Sequence, residues 1–215
     1  MKKGVILYEG SDEKHVLFHL INAIFGVNFY ECIDYPAEAI KGYNQLLEIL
    51  PVQIAGSERK PIGIIVDANN SISDRWKSIT GILAKANYTQ LPSKPDENGT
   101  IIVDKSPRLP NIGIWIMPDN LSKGMLENFI RHLIPENDDL INIAENSVKK
   151  LIDDGIAKFK TVHKPKAEIH TWLAWQEEPG TPMGQAITKQ YLETKNDLAK
   201  NFISWLDNLF GLSNE

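Results

Sequence analysis

Ile62-Gly63-Ile64-Ile65-Val66-Asp67 is a short apolar stretch that ends in an acidic residue. Two more stretches of this kind run from Gly4 to Glu9 and from Ile112 to Asp119. Short runs rich in Val and Ile, separated by segments of helical periodicity, indicate buried strands of a parallel sheet. Because ligands gather at the carboxyl ends of such strands, we expect the three acidic side chains to meet at one edge. The sequence therefore predicts an α/β fold with a cation, or bound protons, at that edge.

The first half of the chain alternates strands with helices, whereas the pattern after Ser122 is almost entirely helical. We therefore predict an α/β core over residues 1–134 and a helical extension over residues 135–215 that packs on it. A chain of 215 residues can bury a substantial core, and we expect one structural unit. Within the core, 28–35 is predicted as a strand and 36–50 as a helix. A further strand is predicted at 100–103, at an edge of the sheet.

The charge of the chain limits the classes of partner. A formal net charge of −5 argues against binding nucleic acid through bulk electrostatics, although a local basic patch can still do so. The N-terminal apolar run, Gly4 to Tyr8, is too short for a signal peptide, and no stretch approaches the length of a membrane span. We expect a cytoplasmic protein without a membrane partner.

The acidic residues at the strand ends form the first candidate site. We predict that Glu9, Asp67 and Asp119 bind Mg²⁺ or Mn²⁺, because hard oxygen ligands are what these ions require. Gly10 directly after Glu9 lets a ligand approach the backbone. The outer members of the set are Asp12, Asn69, Asn120 and Glu127.

Several acids near the strand ends also have a purely local explanation, which is weaker for Glu9. Asp67 and Asp119 are typical turn formers or helix caps after a strand. Asp12 and Glu13 fit the first turn of a helix, where the helix dipole favours negative charge. The recurrence of an acid after three strands is what favours a shared site.

A basic segment in the second half forms the next candidate. Lys166 and His170 lie one helical turn apart and could hold a phosphate. Together with the neighbouring Lys158, Lys160, His163 and Lys164 they make the most basic stretch of an acidic chain. The alternative is a solvated lysine and a satisfied histidine beside a core helix. Trp172 fits a core position, a base-stacking platform or the contact of an oligomer.

Several common catalytic motifs do not occur. The sequence contains neither a P-loop nor a Gly-rich dinucleotide fingerprint, and no Gly-x-Ser-x-Gly elbow. Binding of nucleoside triphosphate or NAD by those motifs, and Ser-His-Asp hydrolysis, are therefore unsupported.

Glu9-Gly10 with Asp12 after the first strand, followed by Asp67 after a later strand, resembles a Toprim domain. Toprim is the metal-binding α/β module of topoisomerases, DnaG-type primases and OLD-family nucleases. The resemblance implies that Glu9 and Asp67 hold magnesium. Asn69 stands where Toprim proteins have the second acid of an Asp-x-Asp motif, and Asp119 could compensate for it.

Three further segments are similar to a bacterial and archaeal family of Toprim-related proteins. They run from Gly113 to Asn120, from Gly124 to Glu127 and from Ile169 to Gly180. This similarity spans nearly the whole chain and implies a Toprim-like, Rossmann-like sheet flanked by helices. It does not imply a particular activity.

Three hypotheses for the function follow. The first is a magnesium-dependent phosphodiesterase or nuclease in which Glu9 orients the ion or acts as acid or base, and Lys166 and His170 contact phosphate. The second is a non-catalytic component that binds nucleic acid or protein and has a degenerate metal site, as Asn69 would favour. The third is a small-molecule phosphatase, which a closed pocket would favour.

Overall fold

The computed structural model describes residues 2–36 and 40–214. Its sheet has five strands: β1 (Gly4–Tyr8), β2 (Ile33–Asp34), β3 (Ile62–Asp67), β4 (Thr100–Ile102) and β5 (Ile112–Met117). Their order across the sheet is β2-β1-β3-β5-β4. The first four in this order are parallel, and β4 is antiparallel to β5 at the edge. The predicted α/β class and the edge strand are confirmed.

Helices occupy about half of the described chain. They are α1 (Ser11–Phe25), α2 (Phe29–Cys32), α3 (Tyr43–Gly56), α4 (Ile72–Lys85), α5 (Leu126–Leu133), α6 (Asp139–Asp153), α7 (Lys164–Ala174), α8 (Met183–Thr188) and α9 (Asp197–Phe210). Short 3-10 turns at Thr161–His163 and Leu212–Asn214 complete the described helical structure. No helix of the described residues is both long enough and apolar enough to cross a membrane.

The predicted strand over 28–35 is wrong for most of its length. The Asn28 side chain accepts a hydrogen bond from the Tyr30 N–H and caps the short helix α2. Phe29 and Cys32, three residues apart, are both buried on that turn. Only β2 remains extended, because the local cap satisfies backbone groups that a longer strand would have paired with β1.

The helix predicted over 36–50 is displaced toward the C-terminus. In the structure α3 begins at Tyr43 and continues through Pro51 to Gly56. Residues 37–39 lie outside the described part of the chain.

Alternating strand residues divide the core into two layers. Leu7, Ile64 and Ile114 point to the layer formed with α3 and α4. Tyr8, Ile65 and Trp115 point to the opposite layer, which α1, α5, α7, α8 and α9 cover. This period of two is what a parallel sheet covered on both faces requires. The layers leave the carboxyl ends of β1 and β3 open at the edge of the sheet.

A row of glycines seats the last helix directly on the sheet. Gly63 of β3 lies opposite Gly113 of β5, and both face α9. A Cβ atom on Gly113 would lie 2.4 Å from Leu209 Cδ2 and 3.0 Å from Trp205 Cζ2. The end of α9 therefore approaches Gly113 more closely than a Cβ atom there would allow without a shift of Leu209, and a Cβ atom on Gly63 would be tight against Phe210. Residues on both sides of the predicted boundary at 134 contribute to one hydrophobic cluster.

We predict that Gly113→Ala lowers the free energy of unfolding by about 1–3 kcal/mol, because the added methyl group overpacks the contact with α9. The control is Gly81→Ala in α4, where a Cβ atom meets nothing within 4 Å. Removing a helix glycine should leave stability unchanged or raise it by up to about 1 kcal/mol. Urea unfolding of both variants measures the difference, and equal stabilities would contradict this account of α9.

Candidate metal centre

An acidic pocket of about 370 Å³ opens at the carboxyl ends of β1 and β3. Its walls come from the loop after β1, the first turn of α1, the loop after β3, the start of α5 and the start of α7. Five carboxylates line it, those of Glu9, Asp12, Glu13, Asp67 and Glu127. We call this cavity the acidic pocket.

Glu9 and Asp67 are positioned by the backbone. The strands that precede them, β1 and β3, are parallel neighbours, so both acids emerge at the same edge. The Asp67 N–H donates a hydrogen bond of 3.0 Å to Glu9 Oε1, and the Leu126 N–H donates one of 2.9 Å to Asp67 Oδ1. The first N–H ties the Glu9 carboxylate to the end of β3, and the second ties Asp67 to the start of α5. The structure thus brings together two of the three predicted metal ligands.

Glu13 also lies in the acidic pocket. Its position in the sequence predicts only that it belongs to the first turn of a helix. It is 8 % exposed and shares the buried face of α1 with Val16, Leu17 and Leu20. Glu13 precedes these three residues by three, four and seven positions, and this helical spacing predicts that Glu13 lies on the same buried face. A glutamate in phase with a core face is buried, and a buried carboxylate requires a partner.

Crowding of negative charge perturbs the acids of the pocket. Burial raises the pKa of Asp67 to about 8, and the neighbouring charges of Glu13, Glu9 and Glu127 add to the effect. Burial likewise raises the pKa of Glu13 to about 7, with further repulsion from Glu9, Glu127 and Asp12. Burial also raises the pKa of Glu9, against an opposing effect of Arg75. Near neutral pH, protons must therefore be bound here unless a cation takes their place.

Lys166 and His170 extend from α7 to the side of the pocket formed by Asp12 and Glu127. Lys166 Nζ lies 3.4 Å from Asp12 Oδ2 and 3.6 Å from Glu127 Oε1. Burial disfavours its charge, but the two carboxylates outweigh that effect and raise the pKa of Lys166. Ligand atoms of Asp12, Glu127 and His170 lie within 4.8 Å of one another. The two residues predicted to contact phosphate, Lys166 and His170, thus lie beside Asp12 and Glu127. Lys166 already balances part of the charge of these two acids.

Asp119 is not brought into this pocket. Its carboxylate accepts hydrogen bonds from the Leu121 N–H, the Ser122 N–H and the Ser122 hydroxyl, at 2.9, 2.6 and 2.8 Å. Partial burial acts to raise its pKa, but these bonds prevail and hold the pKa of Asp119 below its ordinary value. The structure thus agrees with the local alternative, in which Asp119 forms a turn. Because β5 lies beyond β3, this turn is one strand further from Glu9.

The two asparagines of the predicted outer set have different positions. Asn120 is 1 % exposed, and its Oδ1 accepts a hydrogen bond of 2.7 Å from the Ile116 N–H, so it closes the end of β5. Asn69 lines the acidic pocket. Its backbone exchanges two hydrogen bonds with Gly124, which joins the loop after β3 to the loop before α5.

Trp172 belongs to the core. Its side chain is fully buried, and its Nε1–H donates a hydrogen bond of 2.8 Å to Asp138 Oδ2. A base-stacking or oligomer contact through Trp172 is therefore excluded.

Residues 3–211 match the family whose description reads "Protein of unknown function (DUF3226)". No curated protein and no solved structure matches the chain.

We predict opposite behaviour for Asp67→Asn and Asp119→Asn. Asp67→Asn keeps the acceptor for the Leu126 N–H but removes a charge, so Mg²⁺ affinity should fall by about 100-fold or more. In EDTA at pH 8 the same change should raise the free energy of unfolding by about 1 kcal/mol, since it relieves repulsion.

Asp119→Asn should leave Mg²⁺ affinity unchanged and lower stability by about 0.5–1.5 kcal/mol. Calorimetric titration with MgCl₂ and urea unfolding provide the two measurements. Equal Mg²⁺ affinities for the two variants would contradict this assignment.

The raised pKa values also predict how stability depends on pH. Between about pH 4 and pH 8, the folded metal-free protein binds more protons at Glu13 and Asp67 than the unfolded chain does. The contribution of the pocket to stability is therefore fully present below about pH 4 and is lost as pH rises through 7 and 8. Mg²⁺ that replaces the protons should raise the melting temperature more at pH 8 than at pH 6.

Thermal unfolding with EDTA or MgCl₂ at the two pH values measures this difference. Glu13→Gln should flatten the pH dependence in EDTA, because one of the titrating groups is removed. An Mg²⁺ effect of the same size at both pH values would show that protons and the metal do not compete for this pocket.

Proposed function

The chain belongs to the DUF3226 family, and we propose that it is a magnesium-dependent enzyme that hydrolyses phosphodiester bonds of nucleic acid. The observation that carries the proposal is the set of five carboxylates in one pocket, of which Glu13 and Asp67 have a raised pKa. Such a cluster is costly to a fold and is typical of a site that binds a cation.

The donor set fits a hard divalent cation. Glu9, Glu13 and Asp67 offer carboxylate oxygens, as Mg²⁺ and Mn²⁺ prefer, and no Cys lines the pocket among the described residues. When bound, such an ion supplies polarisation of a phosphoryl oxygen and stabilisation of the leaving oxygen. Glu9, fixed by the Asp67 N–H, is the residue we assign to orienting the ion or exchanging a proton with the attacking water.

Lys166 supplies positive charge at the opposite side of the acidic pocket. Its ammonium group contacts Asp12 and Glu127 and is about half exposed, so a phosphate at the pocket can contact it from the solvent side. His170 is exposed on the same helix, next to the same two acids. We assign both residues to contacts with the phosphoryl oxygens, where charge increases in the transition state.

A Toprim-like relationship is part of this proposal. It is supported by the adjacency of β1 and β3, which sets Glu9 and Asp67 side by side. Asn69 stands where a Toprim motif has its second acid, and Asp119 does not replace that acid. Glu13 and Glu127 provide carboxylates in the same pocket, so the deficit at Asn69 leaves a sufficient ligand set.

One observation favours a second candidate, a non-catalytic component that binds nucleic acid or protein. Lys166 neutralises part of the charge of Asp12 and Glu127 internally, as a structural cation would in a degenerate site. In that case the pocket would bind Mg²⁺ weakly or not at all, and Lys166→Ala would destabilise the fold without affecting any turnover.

We predict hydrolysis of a labelled oligonucleotide in the presence of Mg²⁺ or Mn²⁺, and its loss in Glu9→Gln. Lys166→Ala should lower kcat by about 100-fold, because a charge beside the reacting phosphate is removed. The control is Lys85→Ala at the end of α4, which is exposed and remote from the pocket and should retain full activity.

Three outcomes separate the hypotheses. Hydrolysis that depends on Glu9 and Lys166 supports the enzyme. Oligonucleotide binding without hydrolysis in either metal supports the non-catalytic component. Hydrolysis of phosphomonoesters in preference to oligonucleotides would support a phosphatase.

A further inference from the structure

A second cavity of about 250 Å³ adjoins the acidic pocket. The two share Asn69, and Tyr43 in the second cavity follows Gly42 in the first. The second cavity is polar, and its charged lining residues are Arg75 and Asp74, with Ser71 and Ser78 beside them. Its position at the loop after β3 makes it the next space along the surface from Glu9 and Asp67.

Arg75 is held in a defined orientation in this cavity. Its guanidinium carbon lies 3.7 Å from the centre of the Tyr43 ring, and the Tyr43 hydroxyl donates a hydrogen bond of 3.1 Å to the Arg75 carbonyl oxygen. A guanidinium group stacked on an aromatic ring keeps its N–H donors at the rim of the stack, available for other partners. The stack therefore preorganises a planar set of donors at the cavity.

Arg75 forms no ion pair with a carboxylate in the described part of the chain. Within residues 2–36 and 40–214, no carboxylate oxygen lies within 4.0 Å of its guanidinium nitrogens. Its field still reaches Glu9, whose pKa it lowers against the larger effect of burial. Lys166 differs, because two carboxylates contact its ammonium group. Arg75 is thus a cation near the acidic pocket that no carboxylate contacts among the described residues.

We infer that Arg75 binds the phosphate next to the one that reacts at the acidic pocket, so that the substrate is a polynucleotide chain and not a phosphomonoester. The inference rests on the proposed function, whose substrate class it specifies. A planar guanidinium group pairs with phosphate through two parallel hydrogen bonds, which a lysine cannot reproduce. A substrate with a single phosphate fills only the acidic pocket, whereas a chain places its next phosphate in the cavity of Arg75.

The test compares two substrates that differ in the neighbouring phosphate. In a ten-nucleotide single-stranded DNA the phosphodiester that reacts has a neighbouring phosphate. In bis(p-nitrophenyl) phosphate the phosphodiester that reacts is the only phosphate. Arg75→Ala should lower kcat/KM for the oligonucleotide by about tenfold or more and that for the small diester much less, since only the effect of Arg75 on Glu9 is shared by both substrates. Arg75→Lys should recover the oligonucleotide rate only in part. The control is Lys77→Ala, an exposed cation on the same helix, which should leave both rates unchanged.

Two kinetic results would overturn the inference. An equal fall for both substrates would mean that Arg75 acts through Glu9 or through the stability of the fold. No fall for either substrate would mean that it contacts no substrate phosphate.

Binding separates a failure of the inference from a failure of the proposed function. If wild type hydrolyses neither substrate, the proposed function fails, and fluorescence anisotropy of the labelled oligonucleotide then decides on Arg75. A tenfold weaker Kd for Arg75→Ala, with a salt slope reduced by about 0.7, supports the inference without catalysis. Equal binding by both proteins, or no binding by either, overturns it.

Discussion

Mutual repulsion of carboxylates at the carboxyl ends of β1 and β3 is the constraint on which the rest of the site depends. Glu9, Glu13, Asp67 and Glu127 share one pocket, in which burial is the main cost of ionising Glu13 and Asp67 and the neighbouring carboxylates add to that cost. The fold offsets this repulsion in part with Lys166 on one side and with Arg75 on the other. What remains must be balanced by protons or by a cation from solution. Under the proposed function, a divalent metal would compete with protons for the same groups.

The layers of the fold fix where this repulsion is tolerated. Alternation along β3 and β5 gives both faces of the sheet to helices, and α9 lies in close contact with Gly63 and Gly113 on one of these faces. Only the strand ends are left to carry polar side chains. The backbone N–H groups of Asp67 and Leu126 then hold two carboxylates in place without a charged partner. Rigid strands thereby position groups that a flexible loop could not keep close together against their repulsion.

The sequence predicted the parts of the site that depend on strand pattern and missed those that depend on loop direction. Glu9 and Asp67 follow buried runs, and pairing of β1 with β3 was enough to bring them together. Asp119 follows an equally clear strand, but Ser122 offers its carboxylate a closer set of donors, and a chain pattern does not reveal that choice. Glu13 could have been found, because its phase with the core face of α1 was visible in the sequence. The proximity of Glu13 to acids from other elements was not visible in the sequence.

The same limit explains the differences in the fold. Apolar periodicity over long segments predicted the α/β class, the edge strand and the helical second half. The segment before β2 has residues that suit either a strand or a turn of helix, and the cap formed by Asn28 decides between them. Side chain to backbone bonds of this kind are worth about 1 kcal/mol, enough to select between two short elements but too local to show in a periodicity.

Asn69 and Lys166 both affect how the negative charge of the acidic pocket is balanced. A scaffold without a metal would gain stability from any Gln or Asn in place of Glu13 or Asp67, since burial penalises both charges. Lys166 contacts only Asp12 and Glu127, so it leaves the charges of Glu9, Glu13 and Asp67 without a contacting cation among the described residues. Carboxylate oxygens are the kind of ligand that a hard divalent cation prefers. An uncharged Asn69 in the lining of the pocket adds nothing to this repulsion, whereas an acid at that position would have increased it.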